Sequence, residues 1–192
     1  MMDDQIVSLS DAEALVAEIK RLRSQVLALE ERVRQLDQLA HCDPLIGLPN
    51  RRSFLARLES MIASVERYGD PAAMLFVDLD GLKRINDQFG HKAGDQALIE
   101  VSEMLISTVR KSDFVARLGG DEFGVLLERA DEQGAWEMAL RIVETVTHSQ
   151  FCFEGHCLPL SVAVGVGTIV PGDDPQSVID RADKEMYRVK AA

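Results

Sequence analysis

The chain has 192 residues, enough for one compact domain with a short additional segment. Apolar residues make up 46% and charged residues 28% of the sequence, the balance of a globular protein with a buried core. With 21 basic and 32 acidic residues, the formal net charge is −11. This charge gives no electrostatic reason to bind nucleic acid or an anionic membrane, so an anionic substrate would need local cations or a metal ion.

The three cysteines, Cys42, Cys152 and Cys157, are odd in number and form no CxxC pair. This pattern argues against a disulfide framework and against a zinc site. We therefore predict reduced thiols in a cytoplasmic protein. The N-terminal residues are acidic and no long apolar run follows them, so we expect neither a signal peptide nor membrane insertion.

The N-terminal segment carries a heptad repeat. β-branched residues at position a with leucine at position d favour a parallel two-stranded coiled coil, whereas the alternative is a helix packed on its own domain. The repeat consists of Leu15, Ile19, Leu22, Val26, Leu29, Val33, Leu36 and Ala40. Complementary flanking charges favour the homodimer: Glu18 with Arg23, and Arg32 with Asp37.

The heptad segment is predicted to end near Pro44, because proline disfavours helix in the residue before it. We therefore divide the chain into a coiled-coil dimerisation helix over residues 1–42 and one domain over residues 43–192. The second part shows no internal repeat and no further linker.

Hydrophobic patterning within residues 43–192 predicts an α+β domain with a mostly antiparallel central sheet and surrounding helices. Hairpins with helices packed on one side of the sheet are the expected arrangement. The predicted segments are a helix over 50–68, a buried strand over 72–77, helices over 81–90 and 94–110, hairpin strands over 114–118 and 123–127, a helix over 131–148, strands over 151–153 and 158–169, and a helix from Pro175.

Carboxylates follow the buried strand and the hairpin turn. Asp78 lies at the strand end, and Asp121 and Glu122 follow the Gly119-Gly120 turn. Acids at the end of a buried strand are costly unless a cation offsets their desolvation. An antiparallel sheet could bring these acids together near Lys83, which would suit Mg²⁺ and a phosphorylated substrate. The alternative is a solvated hairpin tip and a polar strand end that caps the next helix.

The segment Gly119-Gly120-Asp121-Glu122-Phe123 is identical to the signature of the GGDEF family of diguanylate cyclases. Further resemblance extends over residues 43–190, so the chain is identified as a member with a palm-like nucleotidyl cyclase fold. The supporting segments are 43–52, 78–95, 117–118 and 182–187. Ile46 replaces a usual threonine and Leu82 a frequent phenylalanine, both at positions typical of packing.

The resemblance implies a role for each site residue. Mg²⁺, or Mn²⁺ in its place, would be held by the side chains of Asp78 and Asp121 and by the Leu79 carbonyl. Asp121 would also accept the proton of the 3′-hydroxyl, Glu122 would be a second essential acid, and Lys83 would stabilise the phosphates. The implied substrate contacts are Asn86 and Asp95 to guanine, His91, Gly119 and Gly120, and Lys184 and Arg188 to the triphosphate.

The implied reaction joins two GTP molecules into cyclic di-GMP and releases two pyrophosphates. Each domain holds one GTP, so two domains must face each other, as a homodimer would allow. Arg110-x-x-Asp113 lies at the spacing of the family's inhibitory product site, although this pattern is also common at helix ends.

Two other functions compete with an active cyclase. A non-catalytic GGDEF protein would bind cyclic di-GMP or act as a scaffold, but Asp78, Lys83 and Asp121 are all present. A cyclase with relaxed base choice would make a mixed dinucleotide. Asp95 argues against it, because a carboxylate accepts hydrogen bonds from the N–H groups of guanine.

Overall fold

The computed structural model describes residues 9–191, excluding the side chains of residues 9–13, 34–36, 38 and 39. The chain forms two compact units, Met1–Ala40 and His41–Ala192. In the described part of the first unit, helix α1 (Leu9–His41) confirms the predicted long N-terminal helix. No helix among the described residues is long and apolar enough to cross a membrane.

The apolar heptad side chains of α1 from Leu15 to Val33 are exposed in the single chain, and Ala40 is half-buried. Their exposed fractions range from 42% at Ile19 to 65% at Leu29. The side chain of Leu36 lies outside the described ones. Glu18, predicted to face Arg23 of a second chain, here pairs with Arg21 within the helix at 2.6 Å.

In the second unit, helices and strands alternate much as the sequence predicts. The helices are α2 (Arg51–Tyr68), α3 (Leu82–Phe89), α4 (His91–Thr108), α5 (Glu132–Thr147) and α6 (Pro175–Ala191). The strands are β1 (Ala72–Leu79), β2 (Phe114–Gly119), β3 (Glu122–Glu128), β4 (Phe151–Phe153), β5 (His156–Leu158) and β6 (Val162–Ile169).

The central sheet has the order β2-β3-β1-β6, and each neighbouring pair is antiparallel. This confirms the predicted mostly antiparallel α+β fold. Strand β1 is central, and its last residues pair with the first residues of β3, so that Asp78 lies opposite Glu122. Strands β4 and β5 form a separate two-stranded sheet.

Helices cover both faces of the central sheet, so the expectation of helices on one side is wrong. Leu75 and Val77 of β1 belong to the core that includes residues of α4 and α5. Met74 and Phe76 belong to the core that includes residues of α2 and α6. A strand covered on both faces is apolar at successive positions, as β1 is. Alternation then places Asp78 on the α2 and α6 face.

Helix α6 lies unusually close to β6 because two glycines of that strand have no side chain. A Cβ at Gly165 would lie 2.0 Å from the Ala182 carbonyl oxygen and 2.3 Å from the Met186 nitrogen. A Cβ at Gly167 would lie 3.0 Å from the Val178 carbonyl oxygen. These glycines bring the α6 backbone directly onto the sheet.

Three predicted boundaries or faces differ from the structure. Helix α4 begins at His91 rather than Gly94, since Gly90 alone, at φ +84°, separates it from α3. The predicted strand 158–169 is two strands, with Pro159 between β5 and β6, because proline cannot donate to a ladder. The apolar spacing of the last helix predicts a buried stripe of Val178, Ile179, Ala182, Met186 and Val189, but Val189 is 48% exposed.

The predicted reduced state of the cysteines is wrong for two of the three. Cys152 and Cys157 form a disulfide, whereas Cys42 is free. The β4–β5 hairpin turns at Glu154 and Gly155, both with positive φ, and its register places the two cysteines directly opposite each other. Counting cysteines could not reveal this register.

Candidate active site

Three carboxylates converge where β1 ends and β3 begins. The strand register places Asp78 opposite Glu122. The backbone N–H of Leu79 donates to the carbonyl oxygen of Asp121 at 3.0 Å, which fixes the hairpin turn against β1. The structure therefore brings together Asp78, Asp121 and Glu122.

This acid cluster is electrostatically unfavourable without a cation. Burial raises the pKa of Asp78, and the charges of Asp121 and Asp80 add to this effect, while a hydrogen bond from Lys190 opposes it. Burial also raises the pKa of Glu122, and the neighbouring charges of Asp78 and Asp121 raise it further. The folded site therefore disfavours the ionised forms of Asp78 and Glu122.

Lys190 of α6 supplies a positive charge to the cluster. Its Nζ lies 2.5 Å from Asp78 Oδ1 and 3.6 Å from Asp80 Oδ1. Burial alone would lower the pKa of Lys190, but the hydrogen bond to Asp78 and the nearby acids raise it overall. Asp80 is held in turn by the Ser161 hydroxyl, which donates to its Oδ2 at 2.9 Å.

The structure does not bring Lys184 and Arg188 to the acid cluster. Both are exposed and lie on the side of α6 opposite its buried stripe, and Arg188 pairs with Glu185. Lys190 was missed, although a sequence signal was present: Ala182, Met186 and Lys190 follow one another at intervals of four, which places Lys190 beside the sheet-facing stripe.

The Gly119-Gly120 turn is shaped by backbone conformations that favour glycine. Gly119 has φ +150° and Gly120 has φ +51°, and the register with β3 shifts between Arg117 and Gly119. No heavy atom lies within 4 Å of the position that a Cβ would take at either glycine, excluding their chain neighbours. The turn thus offers open backbone beside Asp121, and a substrate could approach it closely.

No role was assigned to Arg117 from the sequence, but its side chain fixes the Gly119-Gly120 turn. Its Nη1 lies 3.1 Å from both carboxylate oxygens of Asp43. Its Nε and Nη2 donate to the Gly120 carbonyl at 3.1 and 2.7 Å. Both charged side chains are largely buried, with 12% of Arg117 and 18% of Asp43 exposed. This bridge fixes the carbonyl next to Asp121.

Helix α3 begins three residues after Leu79, the last residue of β1, so its N-terminal end follows the acid cluster directly. Lys83 is exposed in its first turn. The first backbone N–H groups of a helix have no partner within the helix and attract phosphate oxygens. The position suits a phosphate contact from Lys83 and the helix end.

The predicted guanine contacts lie on α3 and α4. Among the described residues, the Asn86 Oδ1 atom is buried and has no hydrogen-bond partner. Asp95 and His91 are exposed in the first turns of α4. A buried acceptor without a partner is costly, so Asn86 fits a ligand that brings an N–H donor.

Arg110 and Asp113 line a cavity of about 230 Å³ together with Glu128, Arg129 and Met138. The Asp113 carboxylate already accepts from the backbone N–H of Arg110 at 2.9 Å and from that of Glu128 at 3.4 Å. Asp113 therefore shapes the turn after α4. The exposed side chain of Arg110 is the part of the motif that can reach a ligand.

The acid cluster fits a magnesium ion shared with a substrate. Within the described residues, no group of three or more His, Cys, Asp or Glu side chains is arranged to hold a metal. Mg²⁺ typically takes only one or two protein carboxylates and completes its shell with water and phosphate oxygens. Asp78 and Asp121 can supply that number, and the Lys190 ammonium against Asp78 shows oxygens that accept a cation.

Comparison with known sequences agrees with these features. Residues 40–192 match the family model described as diguanylate cyclase, GGDEF domain. The chain is 33% identical over 180 residues to diguanylate cyclase DgcP of Pseudomonas aeruginosa, covering 94% of this chain and 27% of DgcP. It is 37% identical over 158 residues to the response regulator PleD of Caulobacter vibrioides, covering 81% of this chain and 35% of PleD. It thus spans about a third or less of these relatives.

Solved structures show the same fold. The coiled coil and GGDEF domain of DgcB from Caulobacter crescentus, in complex with c-di-GMP, matches with a TM-score of 0.84 and 26% identity, covering 93% of this chain and 95% of that one. Diguanylate cyclase SiaD of Pseudomonas aeruginosa, in complex with its activator SiaC, matches with a TM-score of 0.77 and 30% identity, covering 95% and 73%. The chain belongs to the GGDEF family of diguanylate cyclases.

Proposed function

We propose that this chain condenses two GTP molecules into cyclic di-GMP and two pyrophosphates, with Mg²⁺ or Mn²⁺ bound at the acid cluster. The observation that carries the proposal is the convergence of Asp78, Asp121 and Glu122 at the open Gly119-Gly120 turn. The relatives named diguanylate cyclases support the same activity. A non-catalytic role would not require this cluster of costly acids.

The residues of the site divide the chemistry among them. Asp78 and Asp121 would hold the divalent ion together with the Leu79 carbonyl, and the ion would neutralise charge on the phosphates. Asp121 accepts the proton of the attacking 3′-hydroxyl, with Glu122 as the second acid. Lys83 lies at the start of α3, where it can neutralise phosphate charge.

Lys190 replaces Lys184 and Arg188 in our assignment of the cation on the triphosphate, because it is the α6 lysine found at the acids. Asn86 and Asp95 read the guanine base, and His91 and the backbone of Gly119 and Gly120 contact the nucleotide. Because GTP is a cytoplasmic substrate, we place the domain there, although a disulfide such as Cys152–Cys157 is more common in oxidising compartments.

Residues 1–42 act in this proposal as a dimerisation helix for the catalytic domain in residues 43–192. Each 3′-hydroxyl must meet the α-phosphate of the other GTP, so two domains have to face each other. The exposed heptad side chains of α1 offer an apolar seam to a second copy. The coiled coil named for the DgcB structure supports this role.

Cyclic di-GMP is also proposed as an inhibitor that binds at Arg110 and Asp113. The exposed Arg110 guanidinium can contact a phosphate and a guanine edge, while Asp113 holds the turn through its backbone hydrogen bonds. The DgcB structure named as a complex with c-di-GMP supports product binding in this family.

Replacing Asp121 with asparagine tests the activity itself. Asp121→Asn removes the proton acceptor and the negative charge of one metal ligand at nearly constant shape, so we expect at least ~100-fold less cyclic di-GMP. Product formed from GTP and Mg²⁺ is measured by anion-exchange chromatography. The control Asp180→Asn changes an exposed acid on the solvent side of α6 and should keep wild-type activity. Retained turnover in Asp121→Asn would refute the assignment.

Replacing Glu122 with glutamine tests the cost of burying its charge beside Asp78 and Asp121. The folded pKa of Glu122 is raised from 4.5, so the ionised carboxylate costs stability above the folded pKa, and this cost shrinks as the pH falls from the folded pKa to the lower unfolded one. At pH 7 without divalent ions, Glu122→Gln should raise Tm by on the order of 2 °C. At pH 4 the gain should shrink.

The measurement is thermal denaturation in a chelator at both pH values. The exposed Glu103→Gln variant on α4 serves as control and should leave Tm unchanged. A lower Tm of Glu122→Gln at pH 7 would contradict an unfavourable ionised Glu122 in the folded site.

The heptad seam is tested with the double variant Leu22→Ser/Leu29→Ser. Both leucines occupy position d, so their replacement removes two apolar side chains from the seam and weakens the dimer. We therefore expect a monomer in light scattering and a loss of specific activity of at least about tenfold, because catalysis needs two facing domains. The variant Leu27→Ser is the matched control, since Leu27 is 65% exposed but lies off the seam. Full activity in a monodisperse monomer would show that α1 does not dimerise the cyclase.

The inhibitory site is tested with Arg110→Ala. Loss of a charged hydrogen-bond donor to the product should raise the inhibition constant of cyclic di-GMP about tenfold or more, while the initial rate stays unchanged. Initial rates are measured over a range of added cyclic di-GMP, with Arg67→Ala in the last turn of α2 as control. An unchanged inhibition curve would show that Arg110-x-x-Asp113 only ends helix α4 and does not bind cyclic di-GMP.

A further inference from the structure

Gly94 occupies a position in α4 where any side chain would collide with Asn86. A Cβ at Gly94 would lie 2.0 Å from Asn86 Oδ1 and 2.9 Å from Asn86 Cγ. It would also lie 3.1 Å from Leu82 Cδ1. The Asn86 carboxamide therefore fills the space that a side chain at Gly94 would take.

The backbone does not explain why this residue is glycine. Gly94 is buried within α4, and its φ lies outside the left-handed region that favours glycine. Within a helix, glycine is less favourable than alanine because it loses more conformational freedom on folding. The contact with Asn86 is the feature of the structure that requires the missing Cβ.

The Asn86 carboxamide that lies against Gly94 has an unsatisfied hydrogen-bond acceptor. Its Oδ1 is buried and, among the described residues, has no hydrogen-bond partner. Asp95, the next residue after Gly94, is exposed and carries a second acceptor. A guanine base presents adjacent N1–H and N2–H donors, so the acceptors of Asn86 on α3 and Asp95 on α4 match it chemically, whereas adenine presents a different pattern.

We propose that Gly94 is a positioning residue that sets the affinity and base preference of the nucleotide site by leaving room for the Asn86 carboxamide. The inference rests on the proposed function, since it assumes that guanine is the base bound there. Gly94 itself touches no substrate in this scheme and acts only through Asn86.

The test compares Gly94→Ala with the wild-type chain of residues 1–192. Displacing Asn86 should raise KM for GTP about tenfold, the effect expected of a lost buried hydrogen bond, while kcat changes less than twofold. Binding of the non-cleavable analogue guanosine 5′-(α,β-methylene)triphosphate, measured by calorimetry, should weaken by a similar factor. The preference of the protein for this guanosine analogue over the matching adenosine analogue should fall by the same factor.

A double-mutant cycle shows whether Gly94 acts through Asn86. Asn86→Ala removes the carboxamide and opens the space, so adding Gly94→Ala to it should weaken analogue binding less than twofold further. This double variant also relieves the steric conflict, and so keeps the test valid if Gly94→Ala alone unfolds. Gly134→Ala, a helical glycine in α5 with only Asp131 Oδ1 near its Cβ, is the matched control and should bind normally.

The outcomes separate this inference from the proposed function. If the wild type makes cyclic di-GMP but Gly94→Ala keeps its KM and base preference, the inference alone is overturned. Independent, multiplicative effects of Asn86→Ala and Gly94→Ala also overturn it. If the wild type binds the guanosine analogue but forms no cyclic di-GMP from GTP, the proposed activity is rejected. The binding data for the variants then test the positioning role of Gly94 by themselves. A wild type that binds no guanine nucleotide rejects both.

Discussion

The antiparallel pairing of β1 with β3 is the constraint on which the site depends. Backbone hydrogen bonds between these strands place Asp78 opposite Glu122 and the Asp121 carbonyl on the Leu79 N–H. The ladder therefore forces three like charges together, regardless of their mutual repulsion. Burial raises the pKa of Asp78 and of Glu122, and the charges of the neighbouring acids raise both further. Sites that hold such unfavourable charges normally gain function from them.

The packing of α6 determines how this repulsion is offset. Gly165 and Gly167 allow the helix backbone to lie directly on β6, and β6 is the other neighbour of β1. The helix then passes the end of β1, where Lys190 reaches Asp78. Packing in the apolar core and charge compensation at the site are thus linked, since a larger residue at Gly165 would move the helix that carries Lys190.

Local sequence patterns predicted the parts of the fold that depend on neighbouring residues. The apolar run of β1, the hairpin turn at Gly119-Gly120 and the acids beside them are all visible in short segments, and the antiparallel arrangement made the meeting of Asp78 and Asp121 foreseeable. Features that depend on distant residues were missed. Lys190 contacts an acid 112 positions earlier in the chain. The Cys152–Cys157 disulfide depends on a hairpin register that a count of cysteines ignores.

The bridge from Asp43 through Arg117 to the Gly120 carbonyl is better understood as a positioning element than as a source of stability. Burying an ion pair removes two charges from water, and their attraction often only balances that cost. The bidentate geometry does fix three groups relative to one another: the segment before α2, strand β2 and the turn before Asp121. Because the turn glycines have no packed side chains, their conformation depends on such contacts from neighbouring residues. The position of Asp121 is therefore tied to the segment that follows residue 42.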